Sequence, residues 1–286
     1  MTNPVNPTNR IIAKKRSLGT VLMGSPYLLW MAVFIIVPLF MILYYGLVDK
    51  NGHFTLANIA AISQSVHAKA LWLAVYLAVI ATVICLIIAY PLAYILSQVG
   101  FGRGSFIVLL LILPMWMNFL LRTLAWQTLL EKTGVINNIL AFFKLPPQHI
   151  INTPSAIVFG MVYNFLPFMV LPIYNSMMKI DANILSAAQD LGANTLTVLS
   201  KIIWPLSIPG IISGITMVFI PALTTFVISR LLGGSKILLI GNVIEDEFTR
   251  VGNWHLGSGL SIVLMLFIVV NMVISSIFDK EGGNFL

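Results

Sequence analysis

Charge is scarce in this chain. Asp, Glu, Lys and Arg make up 9% of its 286 residues, where a soluble domain carries roughly a quarter. With 59% hydrophobic residues, most of the surface cannot face water, and a soluble fold is excluded. Cysteine occurs once, at Cys85, which rules out an internal disulfide and a cysteine metal site; within an apolar run it reads as a small buried hydrophobe. The four histidines, His53, His67, His149 and His255, are far apart, so no pair has metal-ligand spacing and no Ser/His/Asp set forms. A Walker A phosphate loop is missing too: Gly233-Gly234-Ser235-Lys236 has the residue types without the spacing or the strand–loop–helix setting that cradles phosphates. The formal charge of +7 does not signal nucleic acid, because the basic residues sit at the ends of apolar runs with no basic, aromatic-interleaved face. The chain reads as a non-catalytic membrane protein.

What is there is long apolar runs. Crossing the hydrocarbon takes about 20 apolar residues in a helix, and six runs qualify: 22–48, 70–97, 105–129, 155–178, 206–231 and 258–278. The expected fold is an all-α polytopic membrane protein with six transmembrane helices over 22–278, a basic amino-terminal segment 1–21 and a short tail 279–286. Five runs keep acids and bases near their ends. The third carries Arg122 well inside, where an ionised group costs about 2.5–3.5 kcal/mol at mid-bilayer on insertion scales. Arg122 is therefore expected to snorkel to an interface or to face a wet cavity. Pro38, Pro91, Pro114, Pro167, Pro172, Pro209 and Pro221 fall within spans; each removes a backbone donor and bends its helix. Gly210 and Gly214 are spaced to bring the fifth helix close to a neighbour.

Arg10, Lys14, Lys15 and Arg16 stand directly before the first run. The positive-inside rule puts that end in the cytoplasm, and six spans return the carboxyl end to the same side. The first run is too long for the core of a cleaved signal peptide. Summed over all connections and ends, Lys and Arg divide evenly between the two sides, so the rule orients the chain only through its amino-terminal cluster. Connections 49–69, 130–154 and 232–257 then face outward. In 134–145, Ile136, Ile139, Leu140 and Phe143 share one face of a helix expected to lie along the outer surface.

The connection 179–205 is the most informative stretch. Asp181 can cap a helix starting at Ala182, and Gly192 falls where that helix would end. Thr195 can cap a second short helix running to Trp204, and Pro205 stands near the start of the fifth span, where its missing donor costs little. Two short helices meeting at Gly192 form a shaped elbow, with Ala187 and Ala188 giving a shallow surface for another protein. Leu185, Leu191 and Leu199 are too many apolar residues for an idle loop.

Ser186-Ala187-Ala188, three residues, Gly192, nine residues, Ile202, any residue, Trp204 and Pro205 resemble the EAA loop of permease subunits in binding-protein-dependent ABC importers. Ala187, Ala188, Gly192, Ile202 and Pro205 match at full spacing; Ser186 stands where the family favours Glu, and Trp204 where it favours Leu. Resemblance to the polyamine (spermidine/putrescine) members of this family extends over nearly the whole chain, including Thr133-Gly134-Val135-Ile136-Asn137-Asn138. It implies the type I importer permease fold, a second permease as heterodimer partner, two cytoplasmic ATPase subunits and a periplasmic polyamine-binding protein. No cofactor is implied in this chain, since ATP and Mg²⁺ are bound by the ATPase partners. Ser186, Ala187, Ala188, Asp190, Gly192, Ile202 and Pro205 are implied to couple the bundle to those ATPases.

For the solute path the residues offer weaker signals. Ammonium groups are stabilised by carboxylates and ring faces, yet no acid lies in the middle of a span. Acids gather at Glu245, Asp246 and Glu247, an outer-entrance candidate beside the alternatives of a solvated loop or a salt-bridged contact with the binding protein. Trp116, Asn118, Tyr163 and Asn164, near Pro114 and Pro167, are lining candidates, with core packing as the alternative. An ion-driven secondary transporter is disfavoured by the absence of intramembrane acids and internal repeats. The same architecture carrying iron, thiamine or phosphate stays open.

Overall fold

A computed structural model describes residues 26–283 apart from 28 and 100–102, and, within that, not the side chains of 103–105, 235 and 278–283. The basic amino-terminal cluster, the start of the first expected span and residues 284–286 lie outside the described residues.

Among the described residues, five helices are long and apolar enough to cross a membrane: α1 (Leu29–Leu47), α2 (Ser65–Gln98), α6 (Pro154–Met177), α8 (Thr195–Thr224) and α11 (Trp254–Gly283). A bent pair has the length and composition of a sixth span: α3 (Phe106–Trp116) meets the segment Phe119–Phe142, which opens with α4 (Phe119–Leu130), at 87°. Shorter helices connect them: α5 (Val135–Phe142), α7 (Ala182–Asp190), α9 (Val227–Leu232) and α10 (Ile240–Asp246). The last helix continues past 278, the expected end of its span.

The core is the trio α2, α6 and α8. On α2, Ala70, Ala74, Ala78, Ala81, Cys85, Ala89 and Ala93 recur at three- and four-residue intervals and are all buried. Trp72, Tyr76, Val83, Ile87 and Ile95 occupy the opposite, exposed face. Small residues inward and large ones outward is how helices pack tightly where lipid competes equally for apolar surface. The approach of α8 to α6 depends on glycine, as the sequence suggested: a Cβ on Gly210 would lie 2.6 Å from the Pro172 carbonyl oxygen, and one on Gly214 would lie 2.7 Å from Met169 Sδ. The first and last helices pair with each other at the flank, where Gly46 sits against the Gly259 backbone.

Two expected spans are corrected. The third is not one helix over 105–129. Pro114 stands in a tight 3₁₀ turn, Met117 is extended, and Asn118 restarts the chain at right angles by accepting from the Leu120 and Leu121 N–H groups at 2.9 and 3.3 Å. The fifth does not run over 206–231. It begins earlier, at Thr195, and stops at Thr224, because Asn242 captures the chain there. Its Nδ2 donates to the Phe226 carbonyl at 2.9 Å, and its Oδ1 accepts from Ser229 Oγ at 2.6 Å and from the Leu239 N–H at 3.1 Å. This latch satisfies backbone groups that the broken helix would otherwise leave bare in an apolar setting. Arg122 is buried on α4, and its Nε has no hydrogen-bond partner among the described residues.

Candidate functional site

The elbow begins as expected. Asp181 Oδ1 accepts the Asn183 N–H at 2.9 Å, capping α7 at its first turn. Gly192 closes it with φ +82°, in the left-handed region that costs a side-chain-bearing residue about 1–2 kcal/mol. The Ala193 N–H reaches the Ala188 carbonyl at 3.0 Å and the Gly192 N–H the Gln189 carbonyl at 2.9 Å, the paired bonds of a Schellman turn. Nothing lies within 4 Å of where a Gly192 Cβ would stand, so backbone conformation, and not crowding, requires glycine there.

The second half differs from the expectation. The cap is Asn194, whose Oδ1 accepts the Thr197 N–H at 2.8 Å, and Thr195 is the first helical residue. No separate short helix forms before the membrane. The chain runs from Thr195 straight into α8, passing through a π turn at Leu199–Ile203. The wider turn immediately precedes Pro205, whose ring would otherwise press on the carbonyl four residues back. Pro205 therefore lies inside one continuous helix.

The faces of the elbow are sorted. Leu185, Ala188, Ala193 and Leu199 turn toward the bundle and are half-buried. Ser186, Ala187, Asp190 and Gly192 are exposed, and Leu191 and Leu196 project at 89% and 74% exposure. Ala188 thus packs inward, so the shallow outer surface is Ala187 alone, rimmed by bare leucines. Ser186 donates to its own helix at the Ala182 carbonyl, 3.1 Å away, and offers no charge. Ile202 is half-buried, while Pro205 is exposed. Trp204 lies 4.9 Å, centroid to centroid, from the Tyr90 ring, and Ser207 Oγ donates to the Tyr90 hydroxyl at 3.4 Å. The elbow end of α8 is thereby tied to α2 as well as to α6, a pairing of residues too far apart along the chain for any spacing to signal.

The lining candidates are not gathered into one site. Trp116 is 77% exposed. Asn118 is occupied as the α4 cap. Tyr163 joins Trp126 and Phe159 in an aromatic cluster, with centroids 5.1 and 4.6 Å from the Trp126 ring. Asn164 is buried and donates to the Gly160 carbonyl at 2.9 Å. In the acidic triplet, Glu245 pairs with Arg230, and Asp246 bridges Arg230 at 2.8 Å and Arg250 at 3.0 Å. Glu247 has no basic partner among the described residues, and its Oε2 is enclosed. Two of the three acids are thus paired with arginines of this same chain, an arrangement that the sequence reading did not include. Arg230, at the end of the expected fifth span, carried no hint of this role, because a short helix–turn–helix had to fold it back.

In 130–154, Asn137 is buried and binds the following loop, donating to the Gln148 carbonyl at 3.0 Å and accepting its N–H at 2.8 Å. The apolar face of α5 is rotated from the one expected: Ile136 packs inward, while Ile139, Phe142 and Phe143 are exposed.

No protein-family model matches the sequence. The spermidine/putrescine transport system permease protein PotB of Haemophilus influenzae is 36% identical over 249 residues, covering 84% of this chain and 87% of that protein. This chain belongs to the PotB family of transport permeases. The Escherichia coli PotB is likewise 36% identical, over 83% of this chain and 89% of its own length, and the inner membrane ABC transporter permease YdcU of that organism is 28% identical over 63% of this chain. Among solved structures, a bacterial alginate ABC transporter matches this PotB-family chain with a TM-score of 0.72 at 14% identity, covering 91% of this chain and 93% of that one. The MetNI methionine ABC transporter in an inward-facing conformation gives 0.56 at 13% identity, over 75% and 95%. The fold is that of an ABC importer permease.

Proposed function

We propose that this permease takes up polyamines of the spermidine/putrescine class as one half of a permease heterodimer. A periplasmic binding protein delivers the solute, and two cytoplasmic ATPase subunits bind ATP and Mg²⁺ and supply the energy. Both chain termini and the Asp181–Pro205 elbow lie on the cytoplasmic side in this reading. The observation that carries it is mechanical: the second half of the elbow and the membrane-crossing helix α8 are one uninterrupted helix, Thr195–Thr224. A push on exposed Leu196 is delivered along a stiff rod, one on Leu191 reaches it through the Gly192 turn, and Trp204 against Tyr90 passes it to α2. ATPase closure then rocks α8 against its neighbours and alternates the side to which the path opens.

The substrate class rests on the printed function of the 36%-identical relatives and agrees with the chemistry of the spans, which hold no fixed anion that would trap a polycation. The test is solute-stimulated ATP hydrolysis by the complex purified with its natural partners. Spermidine- or putrescine-loaded binding protein is expected to raise the rate above that with empty binding protein. Stimulation by iron, thiamine or phosphate, with none by polyamine, would overturn the substrate assignment. Turnover driven by a proton or sodium gradient in the purified chain alone would overturn the coupling scheme.

A further inference from the structure

Helices α6 and α8 leave a groove of about 630 Å³ along one side, lined by Phe168, Asn175, Ser176, Lys179, Ser213 and Met217 among others. Its wall is chemically unlike that of a groove of about 600 Å³ between α2 and α6, where Tyr76, Ile80, Ile84, Phe159 and Val162 offer an apolar surface suited to acyl chains. The Asn175 amide, the Ser213 hydroxyl and the Lys179 ammonium would lack partners if they faced lipid. This side of the bundle therefore suits water, solute or another protein better than acyl chains.

Proline adds further acceptors. Pro172 and Pro221 have no N–H, so the helix bonds to the Phe168 and Met217 carbonyls, four residues earlier, cannot form. Both residues line the groove. Side-chain donors on these helices go elsewhere: Thr216 to the Ile212 carbonyl, Thr224 to that of Ile220, and Ser176 to that of Leu206. The helices are antiparallel, with Gly210 against Pro172 and Gly214 against Met169. That register brings the two freed carbonyls to within about one turn of each other.

We propose that this groove is a low-affinity station for the ammonium groups of the passing solute, a reading that rests on the solute being a polyamine. The Phe168 and Met217 carbonyls and the Ser213 hydroxyl replace water around one ammonium group, and Asn175 Oδ1, about 10 Å further along α6 at 1.5 Å per residue, meets another ammonium of the same polyamine. No carboxylate is among the lining residues, so the cation is held by dipoles and leaves readily. Lys179 lines the elbow end of the groove, one turn beyond Asn175 on α6. Its like charge keeps the station from becoming a trap.

The experiment places single cysteines at the groove, Asn175→Cys and Ser213→Cys, in the assembled transporter. Native Cys85 is fully buried, and Phe159→Cys in the apolar groove serves as control. At Ser213→Cys, on the helix opposite Lys179, an aminoethyl methanethiosulfonate is expected to react faster than its anionic sulfonatoethyl counterpart, and spermidine-loaded binding protein is expected to slow the reaction at both positions. Asn175→Lys is expected to lower spermidine uptake about tenfold or more while binding-protein-stimulated ATP hydrolysis persists. Equal or anion-preferring labelling of Ser213→Cys without protection, or undiminished uptake by Asn175→Lys, overturns the station. Should Asn175→Lys fail to assemble, the two cysteine variants decide alone. Should the wild-type complex not transport spermidine, the substrate reading fails, and the cation preference in labelling, which needs no solute, still judges the groove.

Discussion

A single backbone conformation sets the shape of the elbow. Gly192 holds φ +82° with open space around it, so substitutions are ranked by their tolerance of the left-handed region and not by size. Asn enters that region several-fold more often than most residues, while a β-branched side chain there is a genuine outlier. Gly192→Asn is expected to retain most uptake, and Gly192→Val to lose about tenfold or more, since a local cost of about 1–2 kcal/mol moves the elbow away from its docked geometry. Both proteins should insert at wild-type levels. Uptake assayed beside membrane abundance checks this, and equal activity in the two variants would mean that the turn is not the element that matters. Trp204 shows how a departure from the family pattern finds its own partner: where the pattern has Leu, the larger ring reaches Tyr90 on α2.

At the scale of elements, continuity of α8 is the transmitting property. A helix rises about 1.5 Å per residue, and the π turn at Leu199–Ile203 absorbs Pro205 without opening a hinge. Inserting Gly-Gly between Ile203 and Trp204 replaces the rod by a flexible joint, since glycine gives the chain free backbone rotation. The expected outcome is a complex that still assembles and hydrolyses ATP but imports little or no solute. Parallel ATPase and uptake measurements check it, and proportionate uptake would show that force does not travel through this helix. The far end of α8 is treated differently. There Asn242 holds a deliberate break, and a satisfied buried network of this kind fixes one geometry among several that apolar packing would tolerate.

For the whole molecule, the decisive question is which side of the membrane carries the elbow. Cys85 is the only native cysteine and is fully buried, so a cysteine at Gly192 would be the one accessible thiol. A membrane-impermeant maleimide is expected to label Gly192→Cys in inside-out vesicles and not in intact right-side-out ones. The reverse pattern would place the elbow, and with it any ATPase contact, on the wrong side. The bundle itself suits motion. Its tight seam is a stripe of alanines and glycines between α2, α6 and α8, while α1 leans on α11 at the flank and is exposed along nearly all of its length.

The apolar runs, the cap at Asp181, the turn at Gly192 and the close approach at Gly210 and Gly214 were all legible in the sequence. Each follows from local chemistry: hydropathy over about 20 residues, a short acceptor beside orphan donors, a residue without Cβ. The bend at Asn118 and the end of α8 at Thr224 were not. Apolar composition runs straight through both, and only a side-chain cap or a latch from Asn242, distant in sequence, decides where the helix stops. The same holds for the pairing of Glu245 and Asp246 with Arg230, and for the groove beside Asn175 and Ser213. Those depend on which helices become neighbours, and neighbourhood is a property of the packed bundle that no window of sequence contains.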